Sequence, residues 1–243
     1  MLICPICQES LQKEEHRFVC VNNHSFDVAK EGYVNLSRKQ KKGQGDNKQM
    51  VQARTRFLEK DYYAFMRAYV AGLLKTIHTE TLVDMGCGQG YYTKVFSEQA
   101  MLCYGIDASK EAVRYAARHD KKTQYMAGNI FHIPLETSSV DAITALFVPP
   151  ANQEAWRLLK KDGAYIVVGP GPRHCWQLKE VLYDTPYENP LPKETMKGFR
   201  MESRKILTLS HWVTDLWSLL EMTPYRYNTA YEAMEKIKHH DPM

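Results

Sequence analysis

The sequence predicts an α/β protein, a parallel doubly wound sheet with a small cysteine-bearing module in front of it. Three observations carry this. From residue 81 onward, short β-rich apolar runs alternate with helix-like stretches, and such alternation with short connections gives parallel strands covered on both faces. A glycine-rich turn, Asp84-Met85-Gly86-Cys87-Gly88-Gln89-Gly90, separates the first of these strands from the helix after it. Three of the six cysteines, Cys4, Cys7 and Cys20, fall within the first twenty residues, a clustering that in a reducing compartment points to metal rather than disulfides.

Composition narrows the class. The 243 residues are 44% apolar and 25% charged, which is ordinary for a globular chain and argues against disorder, collagen or a coiled coil. At roughly 150 residues per domain, the length holds one substantial core and a small appendage. The start, Met-Leu-Ile-Cys-Pro-Ile-Cys, has no basic region leading into an apolar one, so no signal peptide is expected. Apolar stretches such as 142–150 are far too short to span a bilayer. The expectation is a soluble, cytoplasmic protein that does not engage a membrane.

Three segments follow one another: a module over 1–36, a basic loop and helical linker over 37–78, and the sheet domain over 79–243. Residues 37–48 are polar, with glycines and no apolar residue, which reads as a mobile loop. From Met50 the apolar residues recur at three and four, through Phe57, Phe65, Tyr69, Leu73 and Ile77, so one or two amphipathic helices precede the sheet. Strands are expected at 81–84, 102–107, 124–127, 141–148 and 164–169, with helices at 91–99, 109–119 and 153–160. Lys161-Asp162-Gly163 ends the last helix as a glycine-terminated one would. Further on, Pro186, Pro190 and Pro192 mark a loop, 201–210 reads as a strand and 211–222 as a helix.

Charge is segregated. Residues 1–60 hold 11 Lys/Arg against 7 Asp/Glu, while 61–243 balance at 21 against 21. Between Arg38 and Lys60, eight basic residues face only Asp46 and Glu59. A basic field beside a neutral body suits an anionic partner, nucleic acid first among them, although a solvated linker would look the same.

The module carries Cys4-x2-Cys7-x12-Cys20-x3-His24. Zn²⁺ takes four such ligands in a tetrahedron, and a Cys-x2-Cys turn places two thiolates on one side. Four protein ligands leave no position for water, so the metal would be structural and would supply folding energy to a segment too small for its own core. His16 is a rival fourth ligand, but it lies among Glu14, Glu15 and Arg17, which favours exposure and hence His24.

The turn at 84–90 sits where doubly wound sheets bind ligands. Gly86, Gly88 and Gly90 allow close backbone approach. The dinucleotide fingerprint would need a third glycine at 91, where Tyr91 stands. Asp84 would repel a pyrophosphate but suits a ligand with an ammonium group, such as S-adenosylmethionine (SAM). Asp107 ends the next strand, 21 residues past Gly86, where a carboxylate can accept ribose hydroxyls. Asn129 ends the third, near an adenine. A phosphate or nicotinamide site, or a turn used only for packing, are the competing readings.

At this point the chain resembles a family. Cys-Pro-x-Cys, the run Phe-Asp-Val-Ala-Lys-Glu-Gly-Tyr-Val-Asn-Leu (26–36), Gln-Ala-Arg (52–54), Asp-Met-Gly-Cys-Gly-Gln-Gly-Tyr-Tyr and Gly-Pro-Gly-Pro-Arg-His (169–174) occur in this order. They resemble the RlmA-type bacterial 23S ribosomal RNA (guanine-N1)-methyltransferases. The resemblance implies a class I, Rossmann-like methyltransferase sheet, SAM as donor, structural Zn²⁺ on Cys4, Cys7, Cys20 and His24, and N1 of a guanine in a 23S rRNA hairpin loop as acceptor. It implies a homodimer and an effect on macrolide antibiotics, hence on resistance. Tyr63, Gly88, Gln89 and His174 would contact SAM beside Asp107. The chain ends short of the family's final strand.

Methyl transfer from a sulfonium needs alignment above all, and guanine N1 must lose a proton. The sequence names no base. His174 is a weak catalytic candidate, better suited to orienting the donor. Phe147-Val148-Pro149-Pro150 lacks the acid or amide that amine-directed enzymes carry after their fourth strand, which argues against an exocyclic amine. Arg38, Lys39, Lys41, Lys42, Arg54 and Arg56 would grip RNA phosphates. The alternatives are a methyltransferase for a small molecule and a non-catalytic, zinc-containing RNA-binding protein.

Overall fold

A computed structural model describes residues 1–37, 46–191, 196–223, 225–238 and 242. The chain groups into two compact units, one of Met1–Lys48 with Arg67–Val168, the other of Gln49–Met66 with Gly169–Met243. These units cut across the three sequence segments 1–36, 37–78 and 79–243. The reason is that the N-terminal module adds its last strand to the large sheet, while the end of the chain packs on the first linker helix.

In the first unit, β1 (Gln12–Lys13), β2 (Arg17–Val19) and β3 (Ser25–Asp27) form an antiparallel three-stranded sheet. β4 (Val34–Asn35) then leaves the module and lies parallel to β7 (Gln124–Ala127), with Val34 opposite Met126. The large sheet is completed by β5 (Thr81–Met85), β6 (Leu102–Asp107), β8 (Val140–Leu146) and β9 (Leu159–Val168), in the order β4-β7-β6-β5-β8-β9 and all parallel. Central strands must be apolar on both faces, and β5 is buried from Leu82 to Met85. α4 (Lys110–His119) follows β6. Its N-cap Ser109 accepts from Ala112 N at 3.2 Å, and Ala112, Val113, Ala116 and Ala117 form its buried stripe.

Two further joints tie the module to the sheet. Ile3 N donates to Pro134 O at 2.9 Å and Glu136 N to Met1 O at 3.1 Å, in the loop after β7. Glu31, only 8% exposed, accepts from Arg118 of α4 at 3.0 Å.

Several expectations are corrected. α5 (Asn152–Leu158) stops two residues before the expected 160, because Leu159 is already extended and begins β9. Lys161-Asp162-Gly163 is therefore a bulge within β9, where the partners of Val140 and Ala142 are Leu159 and Ala164, and Asp162 takes φ +68°. β8 ends at Leu146 rather than 148, since Phe147 turns to φ +56°. The glycine loop leads into a single short α3 (Thr93–Phe96) and a 3₁₀ turn (Ser97–Gln99) rather than one helix from 91.

In the second unit, α1 (Lys48–Leu58) buries Val51, Ala53, Thr55, Phe57 and Leu58, and α2 (Ala64–Lys75) continues from it into the first unit. α6 (Trp176–Leu182) and α7 (Leu216–Glu221) follow. The strand expected at 201–210 is not formed; the segment is exposed apart from Leu207 and has no ladder partner among the described residues. An alternating pattern makes a strand only where an edge receives it. The helix expected over 211–222 is confined to α7, whose cap is Asp215, accepting from Ser218 N at 2.9 Å.

Candidate functional site

The four expected metal ligands converge. The Sγ atoms of Cys4, Cys7 and Cys20 and a ring nitrogen of His24 all lie within 4.8 Å of one another. Cys4 Sγ to His24 Nδ1 is 3.5 Å, Cys20 Sγ to His24 Nδ1 3.4 Å and Cys7 Sγ to Cys20 Sγ 3.6 Å. A tetrahedron with zinc–sulfur bonds of about 2.3 Å has edges near these lengths, so the donor set fits the ion. Two tight turns present the thiolates, with Gln8 at φ +66° and Asn23 at φ +60°. Ile6 N donates to Cys4 Sγ at 3.4 Å, which stabilises a thiolate. His16 is exposed and outside the cluster.

At the carboxyl end of β5 the chain turns through Gly86, Gly88 and Gly90 at φ +73°, +53° and +85°. Their roles separate. A Cβ on Gly86 would stand 2.2 Å from Val148 Cγ1, and one on Gly90 2.8 Å from the Tyr125 hydroxyl. These two glycines let β8 and β7 close against the turn. A Cβ on Gly88 would meet nothing within 4 Å, so only there does bare backbone face open space. Beside it, Gln89 is 7% exposed and its Nε2 has no hydrogen-bond partner. A buried amide donor left unsatisfied marks a place for a ligand acceptor.

The two carboxylates differ. Asp107 Oδ2 accepts from Gly88 N at 3.0 Å and Oδ1 from Ser109 N at 2.7 Å, so it locks the loop from the next strand. Asp84 is buried at 3% exposure, its oxygens accepting from Thr93 Oγ1 at 2.5 Å and Thr144 Oγ1 at 2.7 Å. Burial pushes its carboxyl up to about 6, against the pull of those two hydroxyls. Thr93 and Thr144 were not singled out by sequence; a hydroxyl at the start of α3 and one on the strand next to Asp84 are the signals that would have found them. Asn129 is exposed after β7, its Oδ1 accepting from Phe131 N at 3.0 Å.

Tyr63 and His174 fall in the second unit and bond each other, Tyr63 Oη to His174 Nε2 at 2.7 Å. Burial, with the Lys179 charge behind it, pulls the imidazole down to about 4, so the ring is neutral at pH 7 and a weak proton acceptor. Arg54 donates to Met222 O at 3.2 Å and Arg56 to Ser218 Oγ at 3.3 Å, so both are engaged with α7. Arg38, Lys39, Lys41 and Lys42 lie outside the described residues.

An unsatisfied amide, an open backbone face and a carboxylate on the adjacent strand fit SAM, and the fold and loop define a SAM-dependent methyltransferase carrying a zinc ribbon. Residues 2–43 match the RlmA N-terminal zinc-ribbon family and 83–167 the methyltransferase domain family. The chain is 32% identical over 188 residues to the 23S rRNA (guanine(748)-N(1))-methyltransferase of Streptomyces fradiae, covering 74% of this chain and 67% of that one. It is 27% identical over 264 residues to the putative 23S rRNA (guanine-N(1)-)-methyltransferase YxjB of Bacillus subtilis, covering 98% and 91%. A putative enzyme of the same description from Micromonospora griseorubida is 28% identical over 204 residues, covering 74% and 69%. The chain belongs to the RlmA-type 23S rRNA (guanine-N1)-methyltransferase family.

Two outcomes follow from these geometries. Removing zinc with a chelator should release the module and with it β4, so amide exchange at Leu36 and Ala127 should quicken at least about tenfold; unchanged exchange by mass spectrometry would show that the strand pairs without the metal. For Asp84, the folded carboxyl binds its proton more tightly than the unfolded one. Wild-type stability should therefore fall relative to Asp84→Asn as pH rises from about 4 to 6, then level off. A stability difference that stays flat across this window, in urea unfolding, would contradict the buried, raised carboxyl.

Proposed function

We propose that the chain methylates N1 of a guanine in a hairpin loop of 23S rRNA. The observation that carries the reading is the joining of a four-ligand zinc ribbon and a donor loop in one compact unit of a chain of this family. The end of β8 supports it. No acid or amide occupies Phe147–Pro150 where an enzyme directed at an exocyclic amine would need one, which favours a ring nitrogen.

SAM, when bound, supplies the methyl group by in-line displacement from its sulfonium. The chain's own residues bind and orient. Gly88 offers bare backbone, Gln89 Nε2 a donor, and Asp107 an acceptor for the two ribose hydroxyls. Asp84 places negative charge behind the loop, through its field rather than by contact, because both its oxygens already hold hydroxyls. Asn129 stands at the adenine end. Tyr63 and His174 are assigned to the donor by family likeness alone, and no residue is assigned as base.

The acceptor atom is paired inside a duplex, so the target base must lie in a loop or be extruded. Lys39, Lys41 and Lys42 supply the densest positive charge in the sequence and suit the RNA backbone. Action in the cytoplasm as a homodimer, with an effect on macrolide binding, belongs to the same reading and rests on the likeness. Among the described residues no helix is long and apolar enough to cross a membrane.

Mapping methylated guanines on 23S rRNA from cells with and without this gene tests the reading, which requires one N1-methylguanine to vanish with the gene. For the RNA grip, the triple variant Lys39→Ala, Lys41→Ala, Lys42→Ala should flatten the slope of log affinity against log salt by about two while SAM affinity holds. Equal loss of both on titration would remove the loop from the RNA contact.

A further inference from the structure

The turn over 29–33, which leads out of the ribbon into β4, is fastened to the sheet and its helix at three points. The Glu31 carboxylate accepts from Arg118 at 3.0 Å and pairs with Arg114 at 3.6 Å, both on α4. The Glu31 carbonyl accepts from Lys121 Nζ at 2.9 Å, and the Gly32 carbonyl from Gln124 Nε2 of β7 at 3.4 Å. Within the turn, Gly32 N donates to Ala29 O and Ala29 N to Tyr33 O, both at 2.8 Å, with Gly32 at φ +106°. Bonds this dense around one short turn fix the place of Tyr33.

Tyr33 packs against a buried cluster of Cys87, Val113, Ala116, Ala117 and Tyr125. The buried stripe of α4 is mostly alanine, so the helix leaves room here that the ring takes up. The glycine turn rests on the same cluster. A Cβ on Gly105 of β6 would stand 2.7 Å from the Tyr125 ring and 3.2 Å from Cys87 Sγ, and one on Gly90 would stand 3.0 Å from Ala116 Cβ. The Tyr125 hydroxyl, which also lies against Gly90, is pinned by donating to Asp120 Oδ2 at 3.0 Å. Gly90 N in turn donates to Cys87 O at 3.0 Å. Cys87 and Gly90 therefore both sit on the cluster, and they are the residues on either side of Gly88-Gln89, the pair that faces the donor.

We propose that Tyr33 is a positioning residue for SAM: from the ribbon, its ring holds the cluster beneath Cys87 and Gly90 and so sets Gly88 and Gln89 for the donor. This role, which rests on the donor reading of the glycine turn and not on the choice of acceptor, follows from packing. Close-packed interiors transmit displacement, and a deleted ring leaves a cavity into which its neighbours relax. Tyr125 is the largest of those neighbours. With space beside it, its ring no longer confines Gly90, and the turn spreads over arrangements of which only one presents Gly88 and Gln89 together. Donor affinity then falls with the fraction that stays competent. Because the contact is packing, the ring and not the Tyr33 hydroxyl carries the effect.

The test titrates the zinc-loaded full chain with SAM in a calorimeter, at a temperature where each variant is folded, and follows amide exchange on the same samples. Tyr33→Ala should bind SAM about tenfold more weakly than wild type, and without SAM the amides of 87–90 should exchange at least about threefold faster. Tyr33→Phe, which keeps the ring, should bind within about twofold of wild type. Should Tyr33→Ala not fold, Tyr33→Leu keeps much of the volume and should bind about threefold more weakly. A ring that serves only the stability of the ribbon would lower the melting temperature of Tyr33→Ala yet leave SAM affinity and exchange at 87–90 as in wild type, and that result overturns the role. A Tyr33→Phe as weak as Tyr33→Ala overturns it too. Wild type that gives no heat with SAM overturns the donor reading first, and this role with it.

Discussion

One carboxylate shared between two backbone amides organises this molecule. Asp107 reaches from the end of β6 to Gly88 N with one oxygen and to Ser109 N with the other, so a single charge ties the glycine loop of β5 to the start of α4. Hydrogen bonds to an ionised acceptor are about twice as strong as neutral ones. This one also decides which way the loop's bare backbone faces. Gly86 and Gly90 close the turn against Val148 and Tyr125, while Gly88 is left toward open space with the unsatisfied amide of Gln89 beside it. The site is thus made by anchoring everything around one peptide that has open space where a side chain would stand.

The ribbon is part of the same construction. Its β4 is the edge strand beside β7, its first residues bond the loop after β7, and Glu31 engages α4. Metal ligation at Cys4, Cys7, Cys20 and His24 therefore fixes a segment that lies along two elements flanking the donor loop. A module of this size has too little apolar surface to hold such a shape by itself.

Much of this could be read from the residues. Strand–helix alternation placed β6 and β7 within their observed bounds, because central strands carry an almost continuous apolar run that only a covered sheet accepts. The ligand spacing from Cys4 to His24 was legible because metal geometry restricts it so tightly. The amide of Gln89 and the hydroxyls around Asp84 were harder, since whether a polar atom is satisfied depends on three-dimensional neighbours such as Thr144, sixty residues away. The left-handed turn at Phe147 was hidden for a different reason. Nothing in Phe-Val-Pro-Pro marks a positive φ, so the apolar run reads as strand through 148 although β8 ends at Leu146. The pattern at 201–210 misled in the other direction, as alternation describes a segment able to pair without supplying an edge for it.

Calorimetric titration of the zinc-loaded chain with SAM, wild type beside Asp107→Ala, tests the central claim most directly. The account predicts one donor bound per wild-type chain and an affinity weaker by about tenfold or more in a folded Asp107→Ala protein. No heat with wild type, or equal affinity in the two, would contradict it.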